Sequence, residues 1–262
     1  MNNKKNLVIS SLLIAIQLLG IYNLPRFFHY DLYKQEFIVC GITYTLALMI
    51  IIITKKSDFL SQVKFSQNKI GLVLLSVVLI YSAFHFFLSV KSNLMVGHTM
   101  HFDKRLALIT LCYLLIGFGE EIIYRGMLCT TFLKCFNNRV VAIILSSFIF
   151  AGLHLKNIIG KSIDYYFINT FVLTLCGIVF AVIYLNTNIW VAIFYHALYD
   201  IMINLDTVLF RFSSAKSNHP LYSEKLHLNV HWMVIPIVFL MVDASIHRKS
   251  FDKNIVMDCV EN

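Results

Sequence analysis

Charge is what this sequence has least of: only 14% of its 262 residues are Asp, Glu, Lys or Arg. A soluble globular domain carries roughly 25%, so an ordinary water-facing surface is excluded. Proline is rare, with three in the chain, so the long apolar runs are seldom interrupted. There is no CxxC pair among the six cysteines (Cys40, Cys112, Cys129, Cys135, Cys176 and Cys259). That removes the usual zinc-ribbon and dithiol readings and leaves reduced core thiols. No internal repeat and no low-complexity linker divides the chain, which reads as a single membrane domain over residues 1–262.

What is present is apolar: 58% of the residues are hydrophobic and 22 are Phe. They gather in runs long enough for a helix of about 20 residues to cross a ~30 Å hydrocarbon core. Candidate spans are Leu7–Asn23, Phe37–Thr54, Ile70–Val90, Leu106–Phe132, Val140–Ile159, Tyr166–Leu185, Ile189–Leu205 and Leu226–Ile246. The expected fold is an all-α polytopic bundle of about eight transmembrane helices, in contact with membrane lipid. Only Asn186-Thr187-Asn188 separates the sixth and seventh spans, so these should pack antiparallel.

The net charge of +8 comes from Lys and Arg clustered between the apolar runs. That pattern anchors membrane segments and does not build a nucleic-acid face, so nucleic acid is set aside as a partner. Lys55-Lys56 and Arg248-Lys249 abut their spans closely, which places both ends of the chain inside. Lys4-Lys5 and the apolar residues after them resemble a secretory signal, but no small-residue cleavage site follows, and an uncleaved first span is expected. Cys259 lies where a prenylation box would place it, but Glu261 occupies a position that should be aliphatic.

Three spans break the rule that hydrocarbon excludes ionisable groups. The fourth holds Glu120, Glu121 and Arg125, the fifth holds Phe150 and His154, and the seventh holds His196 and Asp200 followed by Asn204. A charged residue at mid-helix costs roughly 2.5–3.5 kcal/mol on insertion scales, so such residues face the bundle interior, pair, and mark function. Residues four apart lie about 40° from one another on a helix, so Glu121 and Arg125 can pair. Glu120 points about 100° away and is left free to act. His196 and Asp200 likewise share a face. Glu120, His154, His196 and Asp200 could meet around one water molecule or one metal ion. Peptide hydrolysis needs that combination, an activated water and a donor to the developing oxyanion. The alternative for Glu120, Glu121 and Arg125 is a salt-bridged structural brace. Asp243 in the last span has no assigned partner, His227 and His231 read as interfacial, and His98 and His101 as solvated loop residues.

Taken in order, Glu120-Glu121-x-x-x-Arg125, Phe150-x-x-x-His154 and His196-x-x-x-Asp200 resemble the CPBP family, the CAAX-prenyl-protease and bacteriocin-processing membrane proteins also called Abi proteins. The resemblance covers a core of roughly Leu106 to Leu205, or residues 106–205, with a family-like lead-in from Gly177 to Trp190. It implies an intramembrane endopeptidase in a multi-pass protein of the bacterial plasma membrane, acting on a peptide or membrane-associated protein. Glu120 would be the water-activating base, with Glu121 and Arg125 as its supports. His154 would be its partner, and His196 with Asp200 the second half of the site. Zinc held by Glu120, His154, His196 and Asp200 and a metal-free glutamate mechanism both stay open. Bacteria generally lack prenylated proteins, which points to bacteriocin or other peptide maturation, or to self-immunity. Two rivals remain: a non-catalytic immunity or scaffold protein, and a transporter with a Glu–His proton relay. The transporter lacks the paired-half symmetry and broken helices such proteins show.

Overall fold

A computed structural model of the chain describes residues 69–95, 104–154 and 163–209, with scattered positions within 41–49, 97–102 and 238–244. The span Leu7–Asn23, most of Phe37–Thr54 and of Leu226–Ile246, and His98, His101, His227, His231 and Asp243 lie outside the described residues. So does the placement of the chain ends.

The described elements are all helical, with no strand among them. Helix α1 runs Lys69–Met95 and α2 runs Lys104–Glu121. A π-helical segment, Ile122–Cys129, joins α2 to α3, Thr130–Phe136. Helices α4, α5 and α6 follow as Arg139–Leu153, Ile163–Asn186 and Ile189–Leu209. Two helical runs are long and apolar enough to cross a membrane, Leu106–Phe136 and Tyr166–Asn186. Bulky apolar side chains point outward from α1, α5 and α6, including Ile80, Phe87, Phe167 and Phe194. In water such a surface would be a liability, but in lipid it is the ordinary outer face.

Side-chain caps set the helix ends. Asn137 adopts a left-handed conformation (φ 48°) that stops α3, and the next residue, Asn138, caps α4 by accepting from Val141 N at 3.1 Å. These are the two jobs asparagine does well at helix termini. At the tight α5–α6 turn, Asn188 Oδ1 accepts from Val191 N at 3.0 Å and the Thr187 hydroxyl donates to Ile183 O at 2.6 Å.

Two glycines let helices approach to backbone contact, the usual device where no hydrophobic effect drives association. A Cβ on Gly117 would lie 2.9 Å from Ala197 N, so α2 rides directly on α6. A Cβ on Gly177 would lie 2.8 Å from Ser147 Cβ, which brings α5 equally close to α4. Gly152 on α4 has nothing within 4 Å of its Cβ direction among the described residues.

Two local features of the expected spans depart from regular α-helix. The fourth is not α-helical throughout: eight residues in its C-terminal half, all buried, form the π segment directly after the Glu pair. The wider turn is secured at its end, where the Thr130 hydroxyl donates to Arg125 O at 3.1 Å and lies 3.1 Å from Tyr184 OH on α5. Residues 155–159 of the fifth lie outside the described residues; its described α-helix runs to Leu153, where the last turn tightens and the His154 N–H bonds back to Ala151 O. That frees the Phe150 carbonyl, which the His154 ring takes up through Nδ1 at 3.0 Å.

Candidate active site

The helix ends and close approaches just described deliver three short segments to one place. Glu120 and Glu121 come from the end of α2, Arg125 from the π segment, and His196 and Asp200 from α6. Glu121 and Arg125 are fully enclosed, with 0% and 1% exposure, whereas the Glu120 side chain keeps 12% and that of Asp200 22%. The cluster therefore has a sealed floor and a partly open rim.

Glu121 organises the floor. Its Oε1 lies 3.3 Å from Arg125 Nη1 and 2.8 Å from His196 Nδ1. With Glu121 as the carboxylate, Nδ1 carries the ring proton and donates, which leaves Nε2 facing the rim. There Nε2 is 3.5 Å from Asp200 Oδ2 and 3.8 Å from Glu120 Oε2. The 3.8 Å separation is too long for a direct hydrogen bond and suits a single bridging water. Glu120 Oε2 makes no hydrogen bond to any described residue, and neither does Glu121 Oε2. Of the two, only Glu120 keeps part of its side chain exposed, while its Oε2 is itself buried.

Arg125 meets Glu121 through charge more than through aligned hydrogen bonds, since its Nε and Nη1 donate to no described acceptor. Its Nη2 donates to Gly177 O at 3.1 Å, and the guanidinium carbon lies 4.6 Å from the centre of the Phe150 ring and 5.3 Å from that of Phe180. Aromatic faces of this kind stabilise a cation that has left water.

His154 stands apart. Its ring lies 4.9 Å from that of Phe150, whose other neighbours include His196 at 5.9 Å. His196 lies within ion-pair range of both Glu120 and Asp200, and among the described ion pairs none includes His154, whose Nδ1 bonds Phe150 O. Asn204 is on α6, one turn beyond Asp200.

A structural or catalytic zinc ion takes three or four protein ligands. Among the described residues no group of three or more His, Cys, Asp or Glu side chains is arranged to hold a metal ion. Both imidazoles commit Nδ1, one to Glu121 and one to Phe150 O, and keep Nε2 as the nitrogen open to a water molecule or an ion.

Residues 102–202 match a family model described as Rce1-like, type II CAAX prenyl endopeptidase Rce1-like. This region is Rce1-like. The match holds Glu120, Glu121, Arg125, Phe150, His154, His196 and Asp200, every named residue of the three motifs, and the resemblance to the CAAX-protease family stands. No curated protein matches the chain. The Rce1-like region and the two membrane-length apolar helices together support an integral membrane protein with a CAAX-protease-like endopeptidase character. A peptide or protein substrate follows from that class.

The Rce1-like motifs did not disclose three contributors. Phe180 touches both His196 and Arg125, Gly177 supplies a carbonyl to Arg125, and the π segment carries Arg125 into place. Gly177 and Phe180 both fall within the family-like lead-in from Gly177 to Trp190, and Gly177 also stands out as a glycine in an otherwise bulky apolar run.

Proposed function

We propose that the chain is a multi-pass intramembrane endopeptidase of the bacterial plasma membrane, a single membrane domain of about eight spans with its catalytic core at residues 106–205. One observation carries the reading: Glu120 presents a buried oxygen without a hydrogen-bond partner 3.8 Å from His196 Nε2, while its neighbour Glu121 is spent on Arg125 and His196. A water bridging Glu120 and His196 is the nucleophile. Glu120 takes its proton as the water attacks the scissile carbonyl, then returns that proton to the departing amine. His196, held by Glu121 through Nδ1, aligns the water by accepting one of its hydrogens at Nε2. Asp200 orients the imidazole from the rim. Arg125 keeps Glu121 in position. His154, whose Nδ1 is fixed on Phe150 O, turns its other nitrogen away from that carbonyl and serves a substrate-bound group.

The substrate is a membrane-associated protein or a peptide, with bacteriocin maturation or self-immunity as the physiological setting. The test compares membrane peptidomes from cells carrying the wild-type protein and Glu120→Gln. A set of fragments lost, with their uncleaved precursors accumulating, supports the reading. Identical peptidomes at equal protein levels would favour a non-catalytic immunity or scaffold protein.

A further inference from the structure

Phe180 is absent from the three motifs, yet its ring is the common wall of two of them. The His196 imidazole stacks on it at 4.3 Å between ring centres with an interplanar angle of 22°, the one parallel ring contact His196 makes among the described residues. Phe150 meets His196 edge-on at 5.9 Å and 73°. Phe150 also meets Phe180 nearly at right angles, at 6.3 Å and 86°. The Arg125 guanidinium carbon lies 5.3 Å from the Phe180 ring centre. Phe180 is itself held by Tyr195 and Tyr199 at 5.6 and 5.8 Å and is 2% exposed, so its ring has little freedom.

The hydrogen bond from Nδ1 to Glu121 fixes one atom of the His196 ring but leaves rotation about that contact open. A flat partner parallel to the ring removes this freedom and sets the plane in which Nε2 points at the rim. The same face lies beside the guanidinium that anchors Glu121, so one side chain constrains both ends of the Arg125–Glu121–His196 chain.

We infer that Phe180 is a positioning residue, whose ring face holds the His196 imidazole with Nδ1 on Glu121 and Nε2 toward Glu120. The inference rests on the proposed catalytic reading only for its consequence, since the ring geometry can be measured without any substrate.

The experiment uses the full chain in lipid nanodiscs with ¹⁵N-labelled histidine, the His196 signals being assigned by their loss in His196→Gln. In the unmodified protein the His196 carbon-bound ring protons should be displaced upfield by the Phe180 ring current, and the nitrogens should report one Nδ1–H form. Phe180→Met and Phe180→Leu should lose the upfield displacement and give nitrogen signals averaged between both ring forms. Phe180→Tyr should restore the single form. A wild-type spectrum without the upfield displacement overturns the inference even if neither aliphatic variant folds. A single unchanged Nδ1–H form in a folded Phe180→Met or Phe180→Leu variant overturns it as well. Peptidomes of the same variants separate the two claims. If Phe180→Met averages the ring while Glu120→Gln leaves the peptidome untouched, the platform stands and the catalytic reading falls. If Glu120→Gln removes fragments while Phe180→Met leaves His196 fixed, the reverse holds.

Discussion

His196 Nδ1 reaches Glu121 Oε1 at 2.8 Å, across 75 residues of sequence and from a different helix. The second glutamate of the pair, not the first, thus holds the imidazole. Two adjacent, chemically identical side chains are thereby given different tasks, one structural and one free, and most of the expected behaviour of the site follows from that division.

Glu120→Gln and Glu121→Gln should therefore fail in opposite ways. Glu121 is fully buried between a guanidinium and an imidazole, and removing one partner of such a network costs about 3–5 kcal/mol. Thermal unfolding of the purified protein should show a clear drop for Glu121→Gln. Glu120→Gln should unfold at or above the wild-type temperature, because an unsatisfied carboxylate oxygen is being replaced. Equal losses of stability in both variants would contradict the division.

Gly177→Ala should destabilise the bundle by roughly 1–3 kcal/mol, the range for overpacking a close contact. Its new methyl would lie 2.8 Å from Ser147 Cβ and 3.2 Å from Ser147 Oγ. Ser147→Gly removes both atoms and should recover part of the loss in the double variant, while the 3.0 Å approach to the Ser147 Cα remains. Strict additivity of the two changes in a denaturation series would contradict the contact.

Asp200 stands 3.5 Å from His196 Nε2 at the open rim. If it orients the imidazole, Asp200→Asn keeps a polar partner of the same shape and should retain far more processing than Asp200→Leu. The measurement is the accumulation of uncleaved precursors in the membrane fraction. Equal accumulation in the two variants would remove Asp200 from the site.

Local periodicity made a good part of this legible. The described helices fall on the expected apolar runs, and the i,i+4 rule places Glu121 with Arg125 and His196 with Asp200, contacts of 3.3 and 3.5 Å. What periodicity cannot reach is anything set by packing between helices. The Glu121–His196 bond, the Arg125 bond to Gly177 O and the stacking of His196 on Phe180 each join different helices. The π segment escaped for a related reason: its eight residues are as apolar as an α-helix, and its stabilising contact comes from Tyr184 on α5 through Thr130. His154 was expected as the partner of Glu120; its Nδ1 bonds the Phe150 carbonyl at the tightened end of α4, a contact that the motif spacing alone does not reveal.

Metal dependence separates the two chemistries that the family resemblance left open. If Glu120 activates the water without a metal, precursor processing in isolated membranes should persist unchanged in a strong chelator. Loss on chelation, restored by zinc alone, would contradict the water–glutamate account.

If Glu120 activates a water molecule for attack on a peptide bond, oxygen from the solvent enters each new carboxyl terminus. Membranes from cells carrying Glu120→Gln, rich in uncleaved precursor, can be mixed in H₂¹⁸O with nanodiscs holding either the wild-type protein or Glu120→Gln. The account predicts new carboxyl termini bearing ¹⁸O with the wild-type protein, and a decrease of at least about 100-fold in their rate of appearance with Glu120→Gln, the lower range for removal of a general base. The same labelled termini appearing at the same rate with Glu120→Gln would contradict it.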